Sequence, residues 1–303
     1  MIQQRDAINN SRRVLNTILI LMVFASSSGC WVVTQFRNRF NPKPECVLGP
    51  DISKSDLIHH LNQNISPLLS WKSSDVRIHT KTPGGIPLRI SADMAVESPR
   101  NFRLIAKSIA GKEADIGSNN ERFWFWLKRG PEKRVITVKH EDLSKAQQRM
   151  QMQFQPDWIM EAFGVIPIDE SNITIEHDPS GVGVLQLISK QKSPTGQPVR
   201  RIIEVDTCRG YILAQSLYAE NGDLIAKATL NNYKRDKESG LMMPHEIFLN
   251  WPQNKMQMKL VIGEIEVNPE NLSKDVWTPP NTRRSPRFDF VGDSNHFPAR
   301  QRQ

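Results

Sequence analysis

Cysteine is scarce in this chain, whose 303 residues include only Cys30, Cys46 and Cys208. Their spacing fits no zinc motif, and the sequence contains no His-Glu-x-x-His pattern. His140-Glu141 and His245-Glu246 each place a base beside an acid, but neighbouring side chains on a strand point to opposite faces. We therefore predict a protein that is not an enzyme and that has no metal site, catalytic residue or cofactor.

A hydrophobic run of the ~20 residues that cross a bilayer is also lacking. The most apolar stretch, residues 14–25, lies between Arg12-Arg13 and Ser26-Ser27-Ser28-Gly29-Cys30. A cationic start, a short apolar stretch and small residues are typical of an export signal. The final residues resemble the lipobox of bacterial lipoproteins, with Ser27 where leucine is usual. That resemblance implies that Cys30 is acylated, for example with palmitate; simple secretion and an uncleaved anchor are the alternatives.

The composition divides the chain into four parts. A stretch rich in proline and asparagine follows the signal, and an arginine-rich stretch with little apolar content closes the chain. An oxidising extracytoplasmic space permits a disulfide between Cys46 and Cys208, and two separate buried thiols are the alternative. The predicted parts are a signal peptide (1–29), a lipidated tether (30–50), a folded domain (51–280) and a disordered basic tail (281–303).

The formal net charge of +8 is modest, and acidic and basic residues are interleaved through most of the sequence. This pattern favours a solvated surface, with a weak preference for anionic lipid headgroups or other polyanions. We predict no nucleic-acid partner.

Helical periodicity occurs at two places. Leu57, Ile58, Leu61 and Ile65 recur every three to four residues after Asp51 or Ser53, either of which suits an N-cap. Residues 141–164 form a second helical region, which must break or restart at Pro156.

Strand periodicity dominates the rest, and no β-α-β alternation appears. Turn signals such as Asn221-Gly222-Asp223 favour hairpins between antiparallel neighbours. The pattern predicts a mainly β (α+β) fold with about ten to twelve strands. The strand-like runs are 86–96, 102–106, 122–128, 135–140, 173–176, 182–189, 199–205, 211–218, 224–233, 245–251 and 256–267.

One strand is apolar on both faces. Phe123, Phe125 and Leu127 alternate with Trp124 and Trp126, so both sides of the sheet require cover. Either a packed core or an apolar ligand would supply it. Methionines suit an adaptable apolar cavity but are also ordinary gap-fillers; they include Met150, Met152, Met242, Met243, Met256 and Met258.

The order of elements resembles the LolA/LolB superfamily of bacterial lipoprotein carriers and acceptors. Four segments carry the resemblance: Trp71-Lys72-Ser73-Ser74-Asp75-Val76-Arg77-Ile78, Ser98-Pro99-Arg100-Asn101-Phe102-Arg103-Leu104, Asn119-Asn120-Glu121-Arg122-Phe123-Trp124-Phe125-Trp126 and Leu241-Met242-Met243-Pro244-His245-Glu246-Ile247-Phe248-Leu249. The resemblance implies an incomplete antiparallel β-barrel wrapped around a few helices, with an apolar cavity for acyl chains. The candidate lining residues are Phe102, Leu104, Phe123, Phe125, Leu127, Met150, Phe154, Trp158 and Phe163.

The anchored, LolB-like form fits the sequence better than a soluble carrier, because Cys30 would itself be lipidated. Trp31 stands where an aspartate would retain a lipoprotein in the inner membrane of enteric bacteria, which favours the outer membrane, facing the periplasm. The expected partners are the membrane, acyl chains or lipoproteins, and envelope proteins. The competing hypothesis is an envelope scaffold or protein-binding lipoprotein whose cavity is filled by its own side chains.

Overall fold

The computed structural model describes residues 46–293, apart from 50, 82–84, 131, 151–154, 178–182 and 194. The predicted signal peptide, Cys30 and residues 294–303 lie outside the described part. All elements described below belong to the unit Val47–Gln303.

Helix α1 (Lys54–Ile65) begins where the sequence predicts. The Ser53 hydroxyl accepts a hydrogen bond from the backbone N–H of Asp56, which satisfies one of the unpaired donors of the first turn. The four apolar residues of the predicted stripe are buried, so this face of α1 packs into the core.

The second helical region is divided, as predicted, at Pro156. Helix α2 spans Leu143–Met150 and helix α3 spans Pro156–Ala162, with the proline in the first turn of α3. Proline is tolerated there because the first N–H groups of a helix have no intrahelical acceptor.

In the described part of the chain, fifteen strands form one sheet. The bounds are β1 Ser70–Lys81, β2 Pro87–Glu97, β3 Asn101–Ser108, β4 Gly111–Ser118, β5 Arg122–Leu127, β6 Val135–Lys139, β7 Ile173–His177, β8 Val184–Lys192, β9 Pro198–Asp206, β10 Tyr211–Ala219, β11 Leu224–Arg235, β12 Met242–Trp251, β13 Met256–Ile262, β14 Glu266–Val267 and β15 Arg287–Asp289.

The sheet is open. Its order is β15-β6-β5-β4-β3-β2-β1-β13-β12-β11-β10-β9-β8-β7, with β14 paired to β1, so β7 and β15 lie at opposite edges. All pairs are antiparallel except β15 with β6. The predicted fold class, a mainly β, unclosed antiparallel sheet with few helices, is confirmed, while the strand number exceeds the predicted ten to twelve.

One face of the sheet carries the core. Ile203, Gln215, Ala228, Leu249 and Met258 stand opposite one another across β9 to β13 and therefore share a face. The apolar residues of this row, those of the flanking rows and those of α1 and α3 form one hydrophobic cluster, the main core.

The opposite face of β3 to β6 is covered by the C-terminal segment. The Arg103 guanidinium donates to the carbonyl of Val276 and, through two nitrogens, to the buried carboxylate of Asp115. Trp124 is fully buried, and its indole N–H donates to Asp115 over 3.1 Å. Burial alone would raise the pKa of Asp115, but hydrogen bonds from Arg103, Lys112 and Trp124 hold that pKa below its ordinary value.

Part of the predicted disordered tail is folded, so that prediction is wrong for residues 281–293. β15 pairs in parallel with β6, and Phe288 is 3% exposed beneath the guanidinium of Arg134. The Arg287 guanidinium donates to the carbonyl of Pro279. Phe290 and Val291 also pack against a hydrophobic cluster, so apolar contacts and two engaged arginines order a segment whose composition indicates disorder.

The predicted tether also ends earlier than residue 50. Leu48 is 5% exposed, and its backbone N–H donates to the carbonyl of Thr207. The N–H of Val47 donates to the carbonyl of Cys208. Residues 47 and 48 are therefore bonded to the turn between β9 and β10.

Candidate functional site

A cavity of about 330 Å³ lies between α1, the C-terminal end of α3 and the core face of β10 to β12. This volume is at the lower end of the range for small-molecule sites. Its apolar lining comes from both helices and the sheet: Leu61, Ile65, Leu68, Ala162, Phe163, Ile212, Leu230, Leu241, Met242 and Met243.

Asn64 holds the helical wall of the cavity against the sheet. Its side-chain Nδ2 donates to the carbonyl of Met242 over 3.0 Å, and its Oδ1 accepts the N–H of Met242 over 2.6 Å. Asn62, two residues earlier, makes the same double contact with the backbone of Ile168. The Asn64 pair fixes the height of α1 above β12, and the Asn62 pair joins α1 to the loop after α3.

Two stacked tyrosines form part of the sheet wall. The rings of Tyr211 and Tyr233 are 4.7 Å apart, and the Tyr233 hydroxyl donates to the carbonyl of Ile212 over 2.8 Å. Burial is the main cause that raises the pKa of Tyr233, so this hydroxyl stays neutral and engaged.

A buried ion pair lies next to the inner end of the cavity. Arg201 Nε on β9 is 3.0 Å from Glu161 Oε2 on α3. Gln215, which lines the cavity, accepts from Arg201 through its carbonyl oxygen and donates to the backbone carbonyl of Glu161 through its amide nitrogen. Burial raises the pKa of Glu161 against the opposing charge of Arg201, and burial lowers the pKa of Arg201. The Gln215 amide is thus hydrogen-bonded on both sides, whereas Arg201 Nε and Glu161 Oε2 face each other as opposite charges without a hydrogen bond.

Cationic side chains surround the outer end of the cavity. Arg209 and Arg235 line it and are exposed, and His60 lies beside them on α1. Gly210 has a φ of +71°, and a β-carbon there would overlap the His60 ring. Glycine therefore allows the β9–β10 turn to lie against α1. We call Arg209 and Arg235 the cationic mouth.

The sequence-predicted lining residues are divided among several places. Phe163 lines the cavity, and its ring lies 6.1 Å from that of Trp71 and 6.2 Å from that of Phe102. Phe102, Leu104 and Trp158 are buried in the main core and do not line this cavity. They fill part of the space that the prediction assigned to a ligand.

The aromatic strand β5 contributes to another cluster. Phe123 packs with Val138, Leu143 and Ala146, and Phe125 packs against this second cluster. Leu127 is 44% exposed, so its assignment to a cavity lining is wrong. Phe154 and the side chain of Met150 lie outside the described residues.

Most of the residues that line this cavity are not among the predicted lining residues. Leu61 and Ile65 were predicted to be buried, but periodicity cannot distinguish a residue that faces a core from one that faces a void. Among the six methionines considered, Met242 and Met243 line the cavity.

Two other depressions are more polar. A groove of about 690 Å³ is lined largely by amides and hydroxyls such as Gln197, Asn221 and Gln253. A groove of about 980 Å³ is lined by charges of both signs, including Lys72, Asp93 and Glu266. Within the described part of the chain, no group of three or more potential metal ligands is found, and no helix is long and apolar enough to cross a bilayer.

Cys46 and Cys208 are each in the disulfide-bonded state. The turn that contains Cys208 also supplies Arg209 and Gly210 to the cavity. Cys208 thus directly precedes the cationic mouth.

No family model and no curated protein matches the chain. Similar solved structures include a domain from Vibrio parahaemolyticus described as an outer membrane lipoprotein-sorting protein (12% identity, 73% of this chain, 94% of that chain, TM-score 0.49). They also include a LolA superfamily protein from Nitrosomonas europaea (14% identity, 75% of this chain, 98% of that chain, TM-score 0.46). A third is a DUF1329 family protein from Desulfovibrio piger (13% identity, 74% of this chain, 95% of that chain, TM-score 0.49). The superfamily that the sequence resembles is thus represented among the similar structures.

Proposed function

We propose that this protein is a membrane-anchored lipoprotein of the cell envelope that holds an acyl chain in the cavity between α1 and β10–β12 and passes it on without covalent chemistry. The observation that carries the proposal is the cavity itself, whose walls are apolar and whose inner polar groups are paired.

An acyl chain has a similar free energy in a bilayer and in an apolar protein cavity, which allows its transfer between the two. Each methylene that leaves water for an apolar site gains ~0.8 kcal/mol, whether the site is a bilayer or a protein cavity. A lining of leucine, isoleucine, phenylalanine and methionine offers nearly the same environment as lipid. The difference between the two is therefore small, and a chain can move in either direction.

Anchoring belongs to the same proposal. Acylation of Cys30 would place the protein on a membrane, with the outer membrane facing the periplasm as the expected site. A disulfide between Cys46 and Cys208 would hold the start of the domain beside the cationic mouth. Val47 supports this placement, because it lines the cavity and is bonded to the turn that carries Cys208.

Ligand binding is tested on the full chain with Cys30→Ser, incubated with a series of fatty acids and examined by native mass spectrometry. We expect one bound fatty acid per chain. A protein that binds none of the series at saturating concentration would refute acyl-chain binding.

Anchoring is tested separately by metabolic labelling of cells with an alkyne analogue of palmitate. We expect label on the wild-type chain, none on Cys30→Ser, and full labelling of the matched control Cys46→Ser. Equal labelling of Cys30→Ser and wild type would rule out lipidation at Cys30.

A protein-binding or scaffold role is the second candidate. Ile86, Ile109 and Leu127 are exposed at the ends of strands that lie opposite the cationic mouth. Large apolar side chains exposed at one end of a sheet would suit a contact surface. Capture of an envelope protein by wild type but not by Ile109→Asp, with no fatty acid bound, would favour this role.

A further inference from the structure

We propose that the cavity selects a single-chain amphiphile with an anionic headgroup, whose carboxylate or phosphate is held by Arg209 and Arg235 while its chain lies among the apolar walls. This inference rests on the proposed acyl-chain binding and specifies the ligand class.

The charged residues that line the cavity carry one sign of charge. Of the residues that line it, His60, Arg209 and Arg235 are the basic ones, and none is an aspartate or glutamate. A headgroup at the outer end therefore faces positive charge without a lining carboxylate to repel it.

Both arginines retain capacity to bind an anion. Arg209 is 72% exposed, and its Nε lies 3.8 Å from Asp206 Oδ2, which is beyond hydrogen-bond distance. Arg235 donates one nitrogen, Nη1, to the carbonyl of Gly240. A guanidinium has five N–H donors in a planar fork that matches carboxylate and phosphate oxygens, so a headgroup would add bonds to both residues.

The interior of the cavity disfavours a buried headgroup. The amide of Gln215 bonds to Arg201 and to the backbone of Glu161, and the hydroxyl of Tyr233 bonds to Ile212. An anion placed there would lose its hydration without gaining donors, and such burial is costly. The orientation is thereby set, with the chain inward and the headgroup at the cationic mouth.

The volume limits the ligand to one chain. An apolar cavity of ~150 Å³ accommodates the six carbons of benzene. A cavity of about 330 Å³ therefore has room for roughly a dozen carbons, which is one medium chain and not two long ones.

The experiment compares four probes with the same twelve-carbon chain on the full-length Cys30→Ser protein: dodecanoate, dodecyl phosphate, dodecanol and dodecyltrimethylammonium. Affinity is measured by displacement of a fluorescent fatty acid, below the critical micelle concentration of each probe. We expect at least one anionic probe to bind roughly tenfold or more tightly than dodecanol, because charge-assisted hydrogen bonds contribute more than neutral ones. The anion preferred by the protein distinguishes a carboxylate from a phosphate headgroup.

The matched variant is Arg209→Gln/Arg235→Gln, with Arg129→Gln, an 86% exposed arginine on the β5–β6 connection, as the control. We expect the double variant to bind dodecanol as before and to lose the preference for anions, while the control keeps it. Unchanged thermal melting of each variant shows that the fold is retained.

The possible outcomes distinguish a wrong headgroup assignment from the absence of acyl-chain binding. Equal affinity for dodecanol and both anions, or an anion preference that survives in the double variant, overturns the assignment of the headgroup but leaves acyl-chain binding intact. Failure of all four probes to bind overturns the proposed function as well.

Discussion

Asn64 brackets the backbone of Met242, donating to its carbonyl and accepting from its N–H, and so joins α1 to β12 beside the cavity. Asn64→Ala leaves both backbone groups without this partner. We expect a loss of about 1–3 kcal/mol in the free energy of unfolding and weaker fatty-acid binding, measured by urea denaturation and by fluorescence displacement. Ser66→Ala, at an exposed position just after α1 that does not line the cavity, is the control. Equal stability of the two variants would contradict this role of Asn64.

Leu241→Trp is expected to fill the cavity, since Leu241 lines it and is 9% exposed. The larger side chain occupies volume that a ligand would need, so fatty-acid affinity should fall about tenfold or more while the fold persists. Leu69→Trp, at a 62% exposed position outside the lining, should bind as wild type does. Undiminished binding by Leu241→Trp would place the acyl site elsewhere.

The ion pair of Glu161 and Arg201 should behave non-additively. Removal of Arg201 leaves the Glu161 carboxylate buried without its counter-charge, so Arg201→Met should cost about 3–5 kcal/mol of unfolding free energy. Glu161→Gln should cost less, because the raised pKa of Glu161 means that burial favours its neutral form. The double variant should be more stable than Arg201→Met, because neither charge remains. Chemical denaturation of all three proteins tests this coupling, and additive losses would argue against it.

Glu161 should also affect the pH dependence of stability. Its pKa is raised in the folded state, so the folded protein gains stability from protonation of this group as the pH falls through that pKa. The gain is complete below the ordinary carboxyl value of ~4.3. Unfolding curves of wild type and Glu161→Gln should therefore differ in slope across the mildly acidic range. Parallel slopes would show that Glu161 titrates normally.

Gly117→Ala should destabilise the sheet because a β-carbon at this position would overlap the indole ring of Trp124. Trp124 is fully buried and bonded to Asp115, so it has no room to move aside. We expect a cost of about 1–3 kcal/mol, with a changed tryptophan fluorescence spectrum. Gly49→Ala, where a β-carbon meets no atom, is the control. A native spectrum and melting temperature in Gly117→Ala would mean that the strands shift at little cost.

Sequence periodicity and turn residues were sufficient to predict helix α1, the helix break at Pro156 and most of the β-hairpins. It missed β4, whose sequence Gly-Lys-Glu-Ala-Asp-Ile-Gly-Ser has few residues that favour strands. Asp115 of that strand is buried only because Arg103, Lys112 and Trp124 surround it in the folded sheet. β1 was missed for another reason, since a register shift between Ser73 and Val76 interrupts the alternation on which strand prediction depends.

The site was harder to predict than the fold. The pattern identified large aromatic residues as the lining, but Phe102 and Trp158 pack into the main core, where they contact other apolar side chains. The void instead lies where α1 crosses β10–β12, and its position depends on the height at which Asn64 holds the helix. Such a distance arises from tertiary packing between segments about 178 residues apart, which no local window contains.

The parallel pairing of β15 with β6 has a consequence for the order of folding. Thr137 and Phe288 are in contact although 151 residues separate them in the sequence. β6 is therefore an unpaired edge strand until the chain has closed that long loop. During this interval its bare N–H and C=O groups are a template for strands of other molecules. Pairing with β15 therefore protects β6 against self-association of newly synthesised chains.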